Sequence, residues 1–336
     1  MAMLLVWCTH GTLYLEDFGG VANVDTLQAA DKNADALMKA VLYANSSDDR
    51  VIEFPDGSVY YLSGVVIDSV MDINFVLNGK IVMQNHIETW NSDATAALYF
   101  SNCEGIYFNG NGNGVIDGQG TIWWRVEYIG FSNTRPNIMK YVTCRDIAIS
   151  NILFLTSPRY SIQMDDCADA VIHDVTIYID PHIKRGLDRH DSVTYALNTD
   201  GIDLAAFNVT VYNCNITNYD DAIVPKPCRS TGKYCQCAGD ILAYNNTIRY
   251  STGLAIGSVP PHVDTNCIRN VTFRDTYMYR PLKAIYIKSN PGNQGTGVIE
   301  DITFQNIFIE QALWWTIYIG PQQQNQPVCI PAACVG

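Results

Sequence analysis

From about residue 105 onward the chain repeats one phrase: apolar, any, apolar, any, Asn or Asp, any, any, apolar. It reads Ile147-x-Ile149-x-Asn151-x-x-Phe154, Val209-x-Val211-x-Asn213-x-x-Ile216 and Ile241-x-Ala243-x-Asn245-x-x-Ile248. It returns as Val271-x-Phe273-x-Asp275-x-x-Met278 and Ile302-x-Phe304-x-Asn306-x-x-Ile309. The polar positions 213, 245, 275 and 306 are 32, 30 and 31 residues apart, which is the period of a solenoid. Apolar residues alternating by two indicate short strands, and the Asn between strand pairs sits where a tight bend and a side-chain hydrogen bond along the stack are useful. A second short strand follows 10 or 11 residues after the Asn, centred on Ile162, Ile223, Ile256, Ile285 and Ile317. The expected fold is all-β, a right-handed parallel β-helix in which each repeat is one coil. An ankyrin or HEAT array is excluded by the two-residue alternation and the wealth of Val, Ile, Thr and Tyr. One helix is expected, over residues 31 to 45, where Ala34, Leu37, Ala40, Val41 and Tyr43 recur at helical spacing behind Asp31 or Asn33 as cap. It would cover the open end of the first coil. The reading is therefore one domain over 1–336, with an N-terminal cap to about residue 60 and coils over about 61–325.

The 336 residues are 48% hydrophobic and 16% charged, enough to bury a large core. A net charge of −13, with 21 Lys and Arg in all, argues against nucleic acid or an anionic membrane as partner. No apolar run reaches the roughly 18 residues needed to span a bilayer. Eleven cysteines point to an oxidising compartment, and their odd number leaves at least one unpaired. Cys228, Cys235 and Cys237 lie close together; without a second pair or a His knuckle they read as local disulfides rather than a zinc site, and no metal or cofactor is expected. Sequons at Asn45, Asn208, Asn215, Asn245 and Asn270 fit secretion. The apolar start, Met1 to Cys8, has no Lys or Arg before it and makes a poor signal peptide, so a trimmed start is expected. A monomeric, extracellular protein is the expectation.

Chemistry is concentrated at Asn198-Thr199-Asp200-Gly201 and Asn218-Tyr219-Asp220-Asp221. Aligning the coils on Ile202 and Ile223 puts Asp200 under Asp221, about 4.8 Å away as paired strands lie. Asp220 completes a cluster of three carboxylates, and some pairs are expected at the roughly 6.5–9.5 Å that lets one carboxyl protonate a glycosidic oxygen while another activates water. Like charges so close cannot all ionise, so one should keep its proton. Between Asp174 and Ile202 the period is broken by about 17 extra residues, including His182 and His190, an insertion placed to shape the site.

In these motifs the chain resembles the polygalacturonase family of glycoside hydrolases, family 28. Asn198 to Gly201 match its N-T-D-G motif and Asn218 to Asp221 its double-Asp motif. Ser251-Thr252-Gly253-Leu254-Ala255-Ile256-Gly257-Ser258 stands where the family has a G-H-G-L-S-I-G-S-like segment, and Tyr286-Ile287-Lys288 where it has R-I-K. Upstream, Asp17-Phe18-Gly19-Gly20, Phe54-Pro55-Asp56-Gly57, Gly118-x-Gly120, Trp123-Trp124 and Arg135-Pro136 follow in the family's order. The resemblance covers nearly the whole chain. It implies a pectin-lyase-like solenoid and an inverting hydrolase of pectin or a related polysaccharide. By the same resemblance Asp220 is the general acid and Asp200 and Asp221 hold and deprotonate the water. Lys288, Asn198, Thr252, Tyr286 and Trp315 are then the substrate-binding positions, with Trp315 where the family often has a Tyr.

Two departures bear on substrate. Thr252 occupies the family's His position and Tyr286 its Arg position, which removes the cation that would clamp a uronate. A substituted or less acidic glycan is therefore expected to be preferred. Ala222 replaces the Cys that commonly follows the Asp pair, so disulfides must be wired differently. The chain also ends soon after Tyr318-Ile319-Gly320, and a terminal coil or cap is expected to be missing. The alternatives are a catalytically impaired carbohydrate-binding relative and, less favoured, a pectate lyase, which would need a Ca²⁺ site and an arginine base.

Overall fold

The computed structural model describes residues 11–90, 94–128, 135–180, 196–259, 265–290 and 296–321. The described chain is dominated by strands, and these join one sheet system in which strands pair in parallel with their counterparts a repeat away, except that the short strand Cys228–Arg229 pairs antiparallel with Asn266 and Cys267. The repeat phrase supplies the register. Ile149 pairs with Ile172, Ile172 with Val211, Val211 with Ala243, Ala243 with Phe273 and Phe273 with Phe304. After the corner, Phe154, Ile177, Ile216, Ile248, Met278 and Ile309 form a second file. Up to Met278 both files are buried. Aromatic rings stack within such files, Phe75 on Phe108 at 4.2 Å and Phe273 on Phe304 at 5.2 Å, each pair adding about 0.5–1.5 kcal/mol beyond its buried area.

The Asn and Asp of the phrase turn the corner. Asp174, Asn213, Asn245, Asp275 and Asn306 all have φ of 51–55°, the left-handed region that short polar side chains tolerate best after glycine. Their amides bond along the stack: Asn213 Nδ2 donates to Asp174 Oδ1 (3.2 Å), Asn245 Nδ2 to Asn213 Oδ1 (2.7 Å) and Asn306 Nδ2 to Asp275 Oδ1 (2.9 Å). Asn208 to Asp169 (2.6 Å) and Asn270 to Asp240 (2.7 Å) do the same at another corner. Three of the five sequon asparagines, 208, 245 and 270, are thus rungs whose Nδ2 is engaged.

Four expectations shift. Ile256 is not in the Ile223 file: a register shift between Asp221 and Ile223 pairs Ile223 with Leu254, which then pairs with Ile285 and, through it, Ile317. The N-terminal helix, α1, runs over Leu27–Ser46, and its cap is Thr26, whose hydroxyl accepts from Ala29 N (3.2 Å). Asn33 is instead wholly buried inside it, accepting from Val21 N (2.7 Å) and donating to Tyr61 O (2.8 Å). Ala36, Leu37, Ala40, Val41 and Ala44 pack into the main core, so the helix does cover that end. A second helix, α2, spans Gly120–Tyr128. It was invisible as a pattern because its anchors are an adjacent pair, Trp123 and Trp124, both buried, rather than a helical stripe. The inserted residues with His182 and His190 lie outside the described residues.

Disulfides join Cys228 to Cys235 and Cys237 to Cys267. Cys103, Cys144, Cys167 and Cys214 are buried free thiols. The first three follow one another at one corner, since Glu104, Arg145 and Ala168 share a register.

If the ladder holds the corners, Asn213→Ala, which loses two rungs and must keep a left-handed φ, should cost about 1–3 kcal/mol. Asn213→Gly keeps the conformation open and should cost less. Urea titration of both variants checks the order; equal losses would assign the effect to the rungs alone.

Candidate active site

The sequence forces two loops against each other. Ile202 pairs with Ile223, and Gly201 N donates to Asp221 O (2.8 Å), so Asp200 lies beside Asp221 as the coil alignment expects. Gly201 is required there, because a Cβ would stand 2.3 Å from Ala222 O. Asn218 staples the loops, its Nδ2 donating to Thr199 O (2.9 Å), Asp220 O (3.0 Å) and Asp221 O (2.8 Å). Thr199 Oγ1 accepts from Tyr219 N (3.3 Å). Asn198, with φ 57°, points its N–H at Asp220 Oδ2 (2.9 Å). Its side-chain oxygen is held by Arg135, which also donates to Leu197 O (2.7 Å) and Pro158 O (3.1 Å). Asn198 therefore acts on the carboxyl through its backbone.

Nearest oxygens of Asp200, Asp220 and Asp221 lie within 4.8 Å of one another. The oxygens could in principle embrace a cation, but two lysines already supply positive charge. Lys288, buried, donates to Asp221 Oδ2. Lys226 sits 3.3 Å from the same oxygen and 3.7 Å from both Asp200 Oδ2 and Asp203 Oδ2. Thr252 Oγ1 donates to Asp221 Oδ1 (2.6 Å).

These contacts drive the carboxyls apart. Burial alone would raise Asp221, yet Lys288, Lys226 and the Thr252 hydroxyl overcome it and hold it at about 2. Asp220 is raised by burial and by Asp221, against the pull of Lys288 and the Asn198 N–H. Asp200 is raised further by burial, Asp203 and Asp220, and Asp203 is raised by burial and Asp221 against Lys226. A carboxyl that ionises readily thus stands next to carboxyls that hold their protons more tightly, which is what joint acid and base work requires.

Of the other expected positions, Tyr286 is buried in a small cluster with Val224 and Ala255, against Tyr318. Lys283, buried beside it, stands over its ring at 3.9 Å, its ammonium lowered to about 8 by burial and Lys288. Trp315 stacks on Trp314 at 4.0 Å and leans on Tyr318 at 5.1 Å. Asp203 and Lys226 are site residues that the motif reading passed over. The signal for Asp203 was available: one step past the inward Ile202, the alternation turns it to the same outer face. Lys226 follows Pro225 just beyond the strand Asp221–Pro225, and its long reach has no short-range signature. A cavity of about 290 Å³ opens here, lined among others by Tyr160, Gln163, Asp203, Lys226, Ser258 and Lys288.

The model of glycosyl hydrolases family 28 matches residues 50–334. The chain belongs to that family. It is 26% identical over 268 residues to endo-xylogalacturonan hydrolase A of Aspergillus tubingensis, covering 78% of this chain and 61% of that one. It is 23% identical to an exopolygalacturonase of Rhizopus delemar, over 89% of this chain and 72% of the relative. The crystal structure of the Aspergillus tubingensis enzyme superposes with a TM-score of 0.75 at 22% identity, over 90% of this chain and 75% of that one, so the two share a fold. The chain spans under two thirds of the length of the first of these relatives.

Buried carboxyls with raised values weigh on stability, since their ionisation is harder folded than unfolded. That burden is absent below the unfolded value near 3.8 and grows as pH rises through it. Asp200→Asn should therefore melt higher than wild type at pH 7, at about 2–4 °C per kcal/mol gained, and the gap should shrink at pH 4. Calorimetry at both pH values checks this; a variant less stable at pH 7 would mean that Asp200 is ionised and satisfied.

Proposed function

We propose that the protein is an inverting glycoside hydrolase of the polygalacturonase type, built as a right-handed parallel β-helix and acting on pectin or a related polysaccharide. The carrying observation is the placement of adjacent Asp220 and Asp221: Asp221 lies against the ammoniums of Lys226 and Lys288, while Asp220 accepts the Asn198 N–H and makes no ion pair among the described residues. Asp220, half-buried and accepting the Asn198 N–H, keeps its proton and serves as the acid to the leaving oxygen. Asp221, ionised between Lys226 and Lys288, takes the proton of the attacking water, with Asp200 helping to hold that water. Charge moves little: the acid loses a proton as the base gains one. Inversion rests on the family resemblance, since the closest carboxyl oxygens are nearer than the roughly 6.5–9.5 Å of inverting enzymes. No specific observation favours the carbohydrate-binding alternative. Two disulfides fit a secreted protein, and no helix among the described residues is long and apolar enough to cross a membrane.

On substrate, the missing Arg and His do not leave the cleft without cations, because Lys226 and Lys288 line it. Both are engaged with carboxylates, so less positive charge is left for a free uronate. A galacturonan backbone with neutral substituents or esters fits this balance, and a named relative is a xylogalacturonan hydrolase. Tyr286 is too enclosed to be swapped for Arg as a test.

Asp220→Asn should lower kcat by at least the ~10²–10⁴ of acid catalysis while sugar binding persists. Near-normal turnover in reducing-end assays would refute the role. Proton NMR of the first-formed anomer should show inversion; retention would make one carboxylate a nucleophile. Comparing kcat/KM on polygalacturonate, its methyl ester and a xylosylated galacturonan should favour the substituted chains by about tenfold, and preference for the free acid would overturn the substrate reading.

A further inference from the structure

Lys226 touches more of the carboxyl cluster than any catalytic step needs. Its ammonium lies within 3.7 Å of Asp200, Asp203 and Asp221, whereas Lys288 engages Asp221. The arrangement has a charge count. Four carboxyls, 200, 203, 220 and 221, face two ammoniums in ion-pair contact. In a buried site the favoured state is near neutral, so two carboxyls ionise and two protons stay. Asp221 is one of the ionised pair, because it meets both lysines. Asp220 meets neither lysine directly, and it keeps one proton. Asp200 and Asp203 then share the other.

We propose that Lys226 is a positioning residue of the reaction: by its contacts with Asp200, Asp203 and Asp221 it sets the number of protons the cluster holds, which keeps the base ionised while Asp220 keeps its proton. The inference rests on the hydrolase reading above. Other groups around it do not replace it. Tyr160, from the preceding coil, is neutral, its hydroxyl raised by burial and by Asp200 and Asp203. Lys288 is committed to Asp221, Lys283 lies behind the Tyr286 ring, and Asp165 lines the cavity without an ion pair to Lys226 among the described contacts. Deleting the Lys226 charge calls a third proton into the cluster: Asp200 and Asp203 lose the ammonium that meets them both, and Asp221, left with Lys288 alone, holds its ionised form less firmly.

Lys226→Met and Lys226→Arg, each checked for wild-type near-ultraviolet circular dichroism, separate the outcomes. In the pH dependence of kcat/KM on pectin, the acid limb, where the base ionises, should move up by about 1–3 units in Lys226→Met and stay within a few tenths in Lys226→Arg. With the base held at about 2 in wild type, this is a loss of about twofold to a hundredfold at pH 3 for the Met variant. A Met variant whose limb does not move overturns the proposal, whatever its rate. The second readout needs no turnover: with Asp carboxyl carbons ¹³C-labelled, NMR titration should count one more protonated cluster carboxyl at pH 5 in Lys226→Met than in wild type. An unchanged count overturns the proposal. A wild type inactive on every pectic glycan but showing the extra proton would fault the hydrolase reading and leave the charge count standing.

Discussion

The pairing of Ile202 with Ile223 is the interaction on which the site depends. A one-residue slip would turn every side chain of the strand to the opposite face, sending Asp203 inward and Ile202 out and parting Asp200 from Asp221. Within the site loops, the Asn218 bonds and the close approach at Gly201 resist such a slip. What forbids it is the rest of the coil, where Val211, Ala243 and Phe273 must stack at one corner file and Asn213, Asn245 and Asp174 must turn left-handed at another. Catalytic geometry is thus inherited from a repeat whose polar corners and apolar files fix the coil height.

The fold was legible because its determinants are periodic. Each coil states the same alternation and the same Asn or Asp, so five weak signals add up to one strong one. The exceptions are aperiodic. A register shift between Asp221 and Ile223 brings Leu254 into the file where Ile256 was expected, and no repeat announces a local irregularity of that kind. The cap of α1 was misplaced because Thr26 precedes the apolar stripe by several residues, and Asn33 resembles a cap while serving as a buried tie between Val21 and Tyr61.

The site was legible to the extent that motifs are contiguous. Asp200, Asp220, Asp221 and Lys288 meet, as do Asn198 and Thr252, though the last two act on carboxyls rather than standing open to a ligand. Tyr286 turned inward, since it falls in a file with Val224 and Ala255 that the sequence shows as apolar only when the coils are laid in register. Lys226 and Asp203 went unseen because their meaning is collective: a lysine after a proline signifies little until three carboxyls from two coils are found around it.

The buried thiols give the molecule an asymmetric relation to oxidants. Folded, Cys103, Cys144, Cys167 and Cys214 are buried free thiols, apart from the two disulfides. Opened by heat, the same four become nucleophiles in the company of two exchangeable bridges. Repairing the coil then competes with scrambling of sulfur, and loss of structure becomes a one-way event whose clock is the rate of opening. The molecule's endurance is then governed by the barrier to unfolding more than by the depth of the folded well.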